Sequence, residues 1–377
     1  MLCYNKVNHH GIRLFCVPWK AEGMIGLNHL DAFLERMGAD AALIHRPENM
    51  RYLSGFAGEG CLFISRAVQA VVTDFRYIEA AGRQAPGWVV ERTTSERKET
   101  AVALELVKST GAKTLCVETD YLTHDDYVKL SEALEGIELL PLKGLPEELR
   151  QIKDADEIAC IREASRIASQ AFVNILPRLH PGMTEIEAKI ELEFEMLRLG
   201  SEGPAFDTIA AAGLNGSLPH AVPSGYVIQP GDLLTLDFGA TYKGYLSDIT
   251  RTVAFGKVSP ELRSIYDTVL SAQTAALKLI GPGVKCSDVD RAARDVTEAR
   301  YPGAFGHSTG HGVGLFIHES PRVSATDDTA LRPGHVVTVE PGVYLPGIGG
   351  CRIEDTVIIT ENGFINAMSA PKQLIEL

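Results

Sequence analysis

No Cys-x-x-Cys pair occurs in this chain, and its seven cysteines (Cys3, Cys16, Cys61, Cys116, Cys160, Cys286 and Cys351) are odd in number and widely scattered. That pattern argues against a disulfide framework and reads as a reduced, cytoplasmic chain. There is no block of like charges and no Lys/Arg-rich run beyond the mixed segment Glu91 to Lys98. With 36 basic against 49 acidic residues, the formal charge is −13. A polyanionic partner such as nucleic acid is disfavoured. Met1 to Lys20 lacks an apolar core of signal-peptide length, and no stretch of about 18 apolar residues follows, so neither secretion nor a membrane span is expected.

What is present is ordinary for a globular protein. The 377 residues are 45% hydrophobic and 23% charged, enough for two domains that each bury a core. In the first part, Ala41 to His45, Leu62 to Ser65, Val71 to Asp74, Val89 to Arg92 and Leu115 to Glu118 read as strands, with Glu99 to Ser109 and Asp125 to Leu134 as helices between them. An α/β domain is expected over residues 1–145, its end marked by the Pro/Gly-punctuated stretch Pro141 to Pro146, with a second domain over 146–377. The second opens on a long amphipathic helix, in which Ile158, Ile161, Ser165, Ala168, Phe172 and Ile175 recur at steps of three and four and mark one buried face.

The second part repeats itself. Pro230-Gly231-Asp232-Leu233-Leu234-Thr235-Leu236-Asp237-Phe238-Gly239 pairs with Pro333-Gly334-His335-Val336-Val337-Thr338-Val339-Glu340-Pro341-Gly342, each position 103 residues on. The same offset links Thr184 to Ser287, each after a Pro-Gly pair and each a candidate helix N-cap with acidic residues following. Two halves of one domain sharing a helix–strand plan are expected.

In the repeat, Leu234, Leu236 and Phe238 alternate with Thr235 and Asp237, the pattern of a half-buried strand. A hairpin centred between Tyr242 and Lys243 would set Asp237 opposite Asp248, and one centred on Gly347 would set Glu340 opposite Glu354. Opposed like charges destabilise a sheet, and crowded buried carboxylates must take up protons or find a cation. One such spacing alone reads as acids at a solvated hairpin end, but its repetition in both halves points to a multivalent metal. Between the strands runs Gly306-His307-Ser308-Thr309-Gly310-His311-Gly312-Val313-Gly314-Leu315-Phe316-Ile317-His318-Glu319. Its glycines at 310, 312 and 314 permit close backbone approach, and its three histidines offer ligands or proton carriers. Four carboxylates with one imidazole form a hard, oxygen-rich set that suits two Mn²⁺, Co²⁺ or similar ions better than a structural zinc.

At these residues the sequence resembles the "pita-bread" metallopeptidases, a group that includes methionine aminopeptidase, aminopeptidase P, prolidase and the metal-free creatinase. The resemblance runs from about Leu149 to the C-terminus. It implies an α+β catalytic domain with a pseudo-two-fold repeat and a dimetal centre on Asp237, Asp248, His311, Glu340 and Glu354, filled by two divalent ions, Mn²⁺ first, with Co²⁺ or Zn²⁺ as alternatives. Asp248 and Glu354 would bridge the ions, Asp237 would chelate one, and His311 with Glu340 would hold the other. His307 and Arg352 are similar to the proline-specific branch. His220, in Asn215-Gly216-Ser217-Leu218-Pro219-His220, and His318 match the histidines that meet substrate and the developing oxyanion. Cys351 stands where valine is commoner. Asn49 to Phe56 resembles the Tyr-Leu-Thr/Ser-Gly-Phe turn of the creatinase-type N-domain.

The activity so implied is hydrolysis of the bond before proline by a water bridging two divalent ions, with Glu340 shuttling the proton. The substrate is a peptide with proline second, as a dipeptide or a longer chain, and the assembly a homodimer. The alternatives are a metal-retaining homologue acting on a non-peptide substrate and a non-catalytic binding protein of the same fold. The five intact ligands argue against a metal-free, creatinase-like form of the first and leave a metal-retaining lyase or amidase open; intact ligands without extra charged tails argue against the second.

Overall fold

The apolar runs of the first part pair into one mixed sheet. The computed structural model describes residues 27–377, so Cys3, Cys16 and the stretch Met1 to Lys20 lie outside the described residues. The chain divides into two units, Met1–Leu149 and Arg150–Leu377. Elements of the first are α1 (Leu27–Arg36), β1 (Ala41–Ile44), α2 (Pro47–Ser54), β2 (Cys61–Ser65), β3 (Gln69–Thr73), α3 (Ile78–Gln84), β4 (Val89–Arg92), α4 (Glu99–Thr110), β5 (Thr114–Val117), α5 (His124–Ala133) and β6 (Glu138–Pro141), followed by α6 (Leu145–Arg150). The strand order is β4-β3-β2-β1-β5-β6. The pairs β1–β2 and β2–β3 are antiparallel and the rest parallel. Val102, Leu106 and Val107 of α4 pack on Leu43, Phe63 and Val72 of the sheet, the layered arrangement expected of an α/β domain. The Asn49 to Phe56 segment is the body of α2 and its stop: Gly55, at φ 83°, donates its N–H to Arg51 O and ends the helix, a backbone conformation that glycine adopts without strain.

The second unit comprises α7 (Ala155–Ile175), α8 (Glu185–Arg198), β7 (Ile209–Ala212), β8 (Leu233–Phe238), β9 (Thr241–Tyr242), β10 (Tyr245–Leu246), β11 (Ile249–Ala254), α9 (Pro260–Leu279), α10 (Cys286–Arg300), β12 (Gly310–Gly312), β13 (Glu319–Val323), β14 (Val336–Val339), β15 (Gly342–Leu345), β16 (Gly349–Arg352), β17 (Asp355–Thr360) and β18 (Gly363–Asn366). A capping box of Asp154 and Glu157 starts α7, which buries Ile161, Ser165, Ala168, Phe172 and Ile175 completely. The plan is indeed repeated. Helices α7 and α8 pack on the sheet β11-β8-β7 through Phe172, Leu192, Leu234 and Phe238. Helices α9 and α10 pack on β13-β12-β14-β17-β18 through Ala276, Val289, Val337 and Val357.

Three sequence expectations need correction. Thr184 does cap α8, accepting from Glu187 N. Ser287 caps nothing: α10 begins one residue earlier, and the Ser287 hydroxyl donates instead to Asp328 Oδ1 at 2.6 Å. Strand β8 is not half-solvated, because Thr235 is also buried, its Oγ1 lying 2.9 Å from that of Thr252. The first hairpin turns between Lys243 and Gly244, both at positive φ, the two-residue turn whose twist matches its strands. Thr250 therefore opposes Asp237, and Asp248 falls opposite Gly239. That displacement of two residues keeps Asp248 on the face of Asp237, as its diagonal neighbour. In the second half, the pairs Val339↔Asp355 and Gly342↔Arg352 share the register centred on Gly347, and Glu340 and Glu354 face each other between them.

The halves are joined where those hairpins meet. Glu354 N donates to Thr250 O at 3.1 Å, Thr356 Oγ1 to Asp248 O at 2.7 Å, and the buried Arg251 guanidinium to Asp355 Oδ1 at 2.8 Å.

Candidate metal centre

Five strands or strand ends bring the carboxylates and histidines together. Asp237 sits near the end of β8, Asp248 just before β11, His311 within β12, Glu340 after β14, and Glu354 between β16 and β17. Asp237, Asp248, His311 and Glu340 line one cavity of about 400 Å³ with His220, His307, His318 and Arg352. Glu354 is not in its wall, yet its carboxyl lies with that of Asp248 and the imidazole of His311, their ligand atoms all within 4.8 Å of one another. The glycines act as expected. A Cβ on Gly310 would strike Thr338 O and one on Gly312 would strike Ser320 O, so only glycine lets β12 lie this close to its neighbours.

The donor set fits divalent cations. Glu354 Oε2 accepts from Thr250 Oγ1 at 2.7 Å and Asp237 Oδ2 from Arg352 Nη2 at 2.6 Å. Their other oxygens, Glu354 Oε1 and Asp237 Oδ1, are buried without a hydrogen-bond partner. Buried orphan acceptors are costly unless something positive meets them. His311 Nδ1 lies 3.1 Å from Gly312 O, a pure acceptor, so Nδ1 carries the proton. Nε2 then points a lone pair at Glu340 Oε1, 3.2 Å away, and at Asp248 Oδ2, 3.5 Å away. Lone pairs facing carboxylates, with the second ring nitrogen fixed by a carbonyl, are the arrangement of a metal-ligating imidazole.

The electrostatics agree. Burial, then the charges of neighbouring carboxylates, push Asp248 and Glu354 far above the usual carboxylate range. Burial also raises Asp237 against the opposing pull of Arg352. Glu340 is held low: burial would raise it, but the positive charge around it, Arg352 included, prevails. Burial and the nearby His311 bring His318 down to about 4, so its imidazole is neutral at pH 7. Its ring stands edge-on to His311, centroids 4.5 Å apart. His220 is exposed on the cavity wall.

Residues beyond the sequence reading complete the site. Tyr344 OH lies 2.8 Å from His307 Nε2 and accepts from Arg352 Nη1 at 2.8 Å, making a chain from His307 through Tyr344 and Arg352 to Asp237. The Gly347-centred register was its signal, since it pairs Gly342 with Arg352 and sets Tyr344 one diagonal step away. Asp290 and Arg294 of α10 hold the segment bearing His307. Arg294 donates to Phe305 O at 2.8 Å and His307 O at 2.9 Å, and Asp290 accepts from Thr309 Oγ1 at 2.8 Å. Glu319, next to His318, is buried between Lys153 at 2.8 Å and Arg150 at 3.2 Å. No local pattern marks these long-range partners.

Buried carboxylates, two of them with orphan oxygens, converge with an imidazole in one cavity, the donor set of a divalent-metal protein. Comparison with known proteins narrows that class. Residues 159–361 match the model of metallopeptidase family M24, and residues 27–152 that of the creatinase/prolidase N-terminal domain. The chain belongs to family M24, and its second unit has the pita-bread fold. It is 45% identical to the "Uncharacterized peptidase YqhT" of Bacillus subtilis, over 93% of this chain and 99% of that one. The solved Xaa-Pro dipeptidase from Bacillus anthracis superposes with a TM-score of 0.89 at 43% identity, covering 93% of this chain and 98% of its own. An X-Pro aminopeptidase from Thermotoga maritima does so with a TM-score of 0.85 at 34% identity, covering 91% and 99%.

Proposed function

We propose that this chain is a dinuclear metallopeptidase that hydrolyses the Xaa-Pro bond, acting on dipeptides. The observation that carries the reading is the pair of orphan oxygens, Asp237 Oδ1 and Glu354 Oε1, within a cluster whose histidine also presents a lone pair. Asp237, Asp248, His311, Glu340 and Glu354 would hold two divalent ions, with Mn²⁺ the best match to so oxygen-rich a set and Co²⁺ or Zn²⁺ the alternatives. When bound, the ions supply an acidified water and Lewis acidity at the scissile carbonyl.

The remaining work falls to side chains. Glu340 takes up a proton at its carboxylate and delivers it to the leaving prolyl nitrogen. His318, neutral at pH 7, and His220 donate N–H groups to the carbonyl oxygen as it gains charge. His307, Tyr344 and Arg352 fix the carboxylate of Asp237. An Xaa-Pro amide has no N–H and restricts the preceding residue, so it needs a shaped pocket rather than a backbone hydrogen bond, and Phe206, Ile209 and Ile317 supply apolar wall.

Two wall charges favour a dipeptide. Arg322 and Asp207 both line the cavity and both are exposed, one suited to a free C-terminal carboxylate and the other to an α-ammonium group. The test is metal analysis together with product identification on an Xaa-Pro dipeptide and an Xaa-Pro-Yaa tripeptide. Wild-type protein should prefer the dipeptide, and Arg322→Met should raise KM for it alone. Equal use of both substrates by wild type would favour an aminopeptidase, and no cleavage of either a non-peptide substrate or a binding role.

The assembly proposed is a cytoplasmic homodimer. Along α8, Ile186, Ile190, Phe194 and Leu197 are 43%, 56%, 51% and 48% exposed. A stripe of that kind on a helix marks a protein contact. Among the described residues, no helix is long and apolar enough to cross a membrane.

A further inference from the structure

The sheet of the N-terminal unit brings a second set of metal-ligating side chains together, remote in sequence from all five residues above. The register of β1 and β2 pairs Ile44 with Leu62, and its next step sets His45 opposite Cys61. Each lies two residues from one that packs against α4, His45 after Leu43 and Cys61 before Phe63, which share that core with Val102 and Leu106. Glu99 is the first residue of α4. Strand ends and helix start thus deliver an imidazole, a thiol and a carboxylate to one point. His45 Nε2 lies 2.8 Å from Glu99 Oε1, and ligand atoms of His45, Cys61 and Glu99 all lie within 4.8 Å of one another.

We propose that His45, Cys61 and Glu99 form a second metal site, selective for zinc-like cations and structural in role, which ties the end of the β1–β2 pair to the start of α4. Three features support it. One carboxylate faces a ring nitrogen and a thiol here, and a single cation can bind all three. Zinc–ligand bonds of about 2.0–2.3 Å put tetrahedral ligands ~3–4 Å apart, so these side chains need to part only slightly. Thiolate and carboxylate together cancel a divalent charge, leaving a neutral site in a place where Cys61 is fully buried and a net charge would be costly.

His45 Nδ1 is buried with no partner, so the ring proton can move to it without displacing one there, and the Nε2–Glu99 hydrogen bond given up is replaced by the two ligand bonds to the ion. The balance is one divalent ion bound, one thiol proton released to solvent and one imidazole proton shifted from Nε2 to Nδ1. Burial and the Glu99 charge keep the thiol protonated without metal, so uptake should strengthen with rising pH. Sulfur also separates this site from the catalytic one. A thiolate selects softer ions, whereas the carboxylate cluster accepts harder ones. Glu99 is 41% exposed at its side chain, which leaves an approach for the ion and for a water as fourth ligand.

The experiment is titration of metal-stripped, full-length protein with Cd²⁺, followed by the ultraviolet charge-transfer absorption of a thiolate–cadmium bond. None of the five residues of the catalytic cluster is a cysteine, so that band reports a thiolate outside it, and its loss in Cys61→Ser assigns it to the trio. Wild type should give the band, saturating near one equivalent, and Glu354→Ala should retain it. Cys61→Ser should abolish it, and His45→Gln should weaken Cd²⁺ binding by more than about tenfold. Absence of the band from wild type would overturn the proposal, as would its survival in Cys61→Ser. Should Cys61→Ser fail to fold, His45→Gln decides alone: unchanged Cd²⁺ affinity in that variant also overturns the site.

Discussion

The proposed function divides single side chains at the centre into those that hold metal and those that meet substrate, and substitution separates them. Glu354→Ala should lose bound metal and hydrolysis together, because the carboxylate with the buried orphan Oε1 is removed while Asp248 and His311 still face each other. Metal content by mass spectrometry alongside turnover checks this. His220→Ala and His318→Ala should keep their metal and lose about 10²–10³ in turnover, the usual cost of one oxyanion donor. Metal loss in either, equal to that of His311→Ala, would overturn the assignment. A third histidine governs stability. His335 is fully buried and its Nδ1 accepts from Arg332 N at 3.0 Å, which requires a neutral ring. Burial, then the charges of Lys153 and Arg332, lower it from 6.5 to about 4. A depressed histidine lends stability that is present above pH 6.5 and lost as pH falls towards 4, in all roughly 3 kcal/mol. Urea midpoints of wild type should fall across that window, and those of His335→Gln should fall less. Of these residues, the metal-ligand candidates are legible in the sequence, because spacing and repetition expose them. Tyr344, Asp290 and Arg294 are not, because each acts through a partner far along the chain.

Elements carry the precision that single residues need. The second hairpin is legible to the residue because Pro346-Gly347 and Gly349-Gly350 allow few other turns. The first is misjudged by one position because Lys243 adopts a positive φ that sequence reserves for glycine or asparagine. The error leaves the site intact, since a displacement of two residues preserves the face. The segment after β12 depends on a different device. Glu319 is drawn below the usual carboxylate range, burial raising it but Lys153 and Arg150 prevailing. Lys153→Met would leave it with Arg150 alone at 3.2 Å. We expect a loss of about 3 kcal/mol in unfolding free energy and lower turnover with metal content unchanged, because His318 is its chain neighbour. Chemical denaturation and steady-state kinetics read the two effects separately.

For the molecule as a whole, sedimentation equilibrium at micromolar concentration should give a dimer. Phe194→Glu should give a folded monomer, since a charge in the middle of the exposed α8 stripe opposes burial against another surface. The catalytic centre depends on the whole chain in another sense. Asp237 and Asp248 come from one half of the repeat, and His311, Glu340 and Glu354 from the other, joined by Glu354 N to Thr250 O and Thr356 Oγ1 to Asp248 O. A chain with only one half folded holds two acids or three ligands, neither of them a complete site. Glu354 stands last of the five in chain order, so the proposed centre is assembled only once both halves of the repeat have folded.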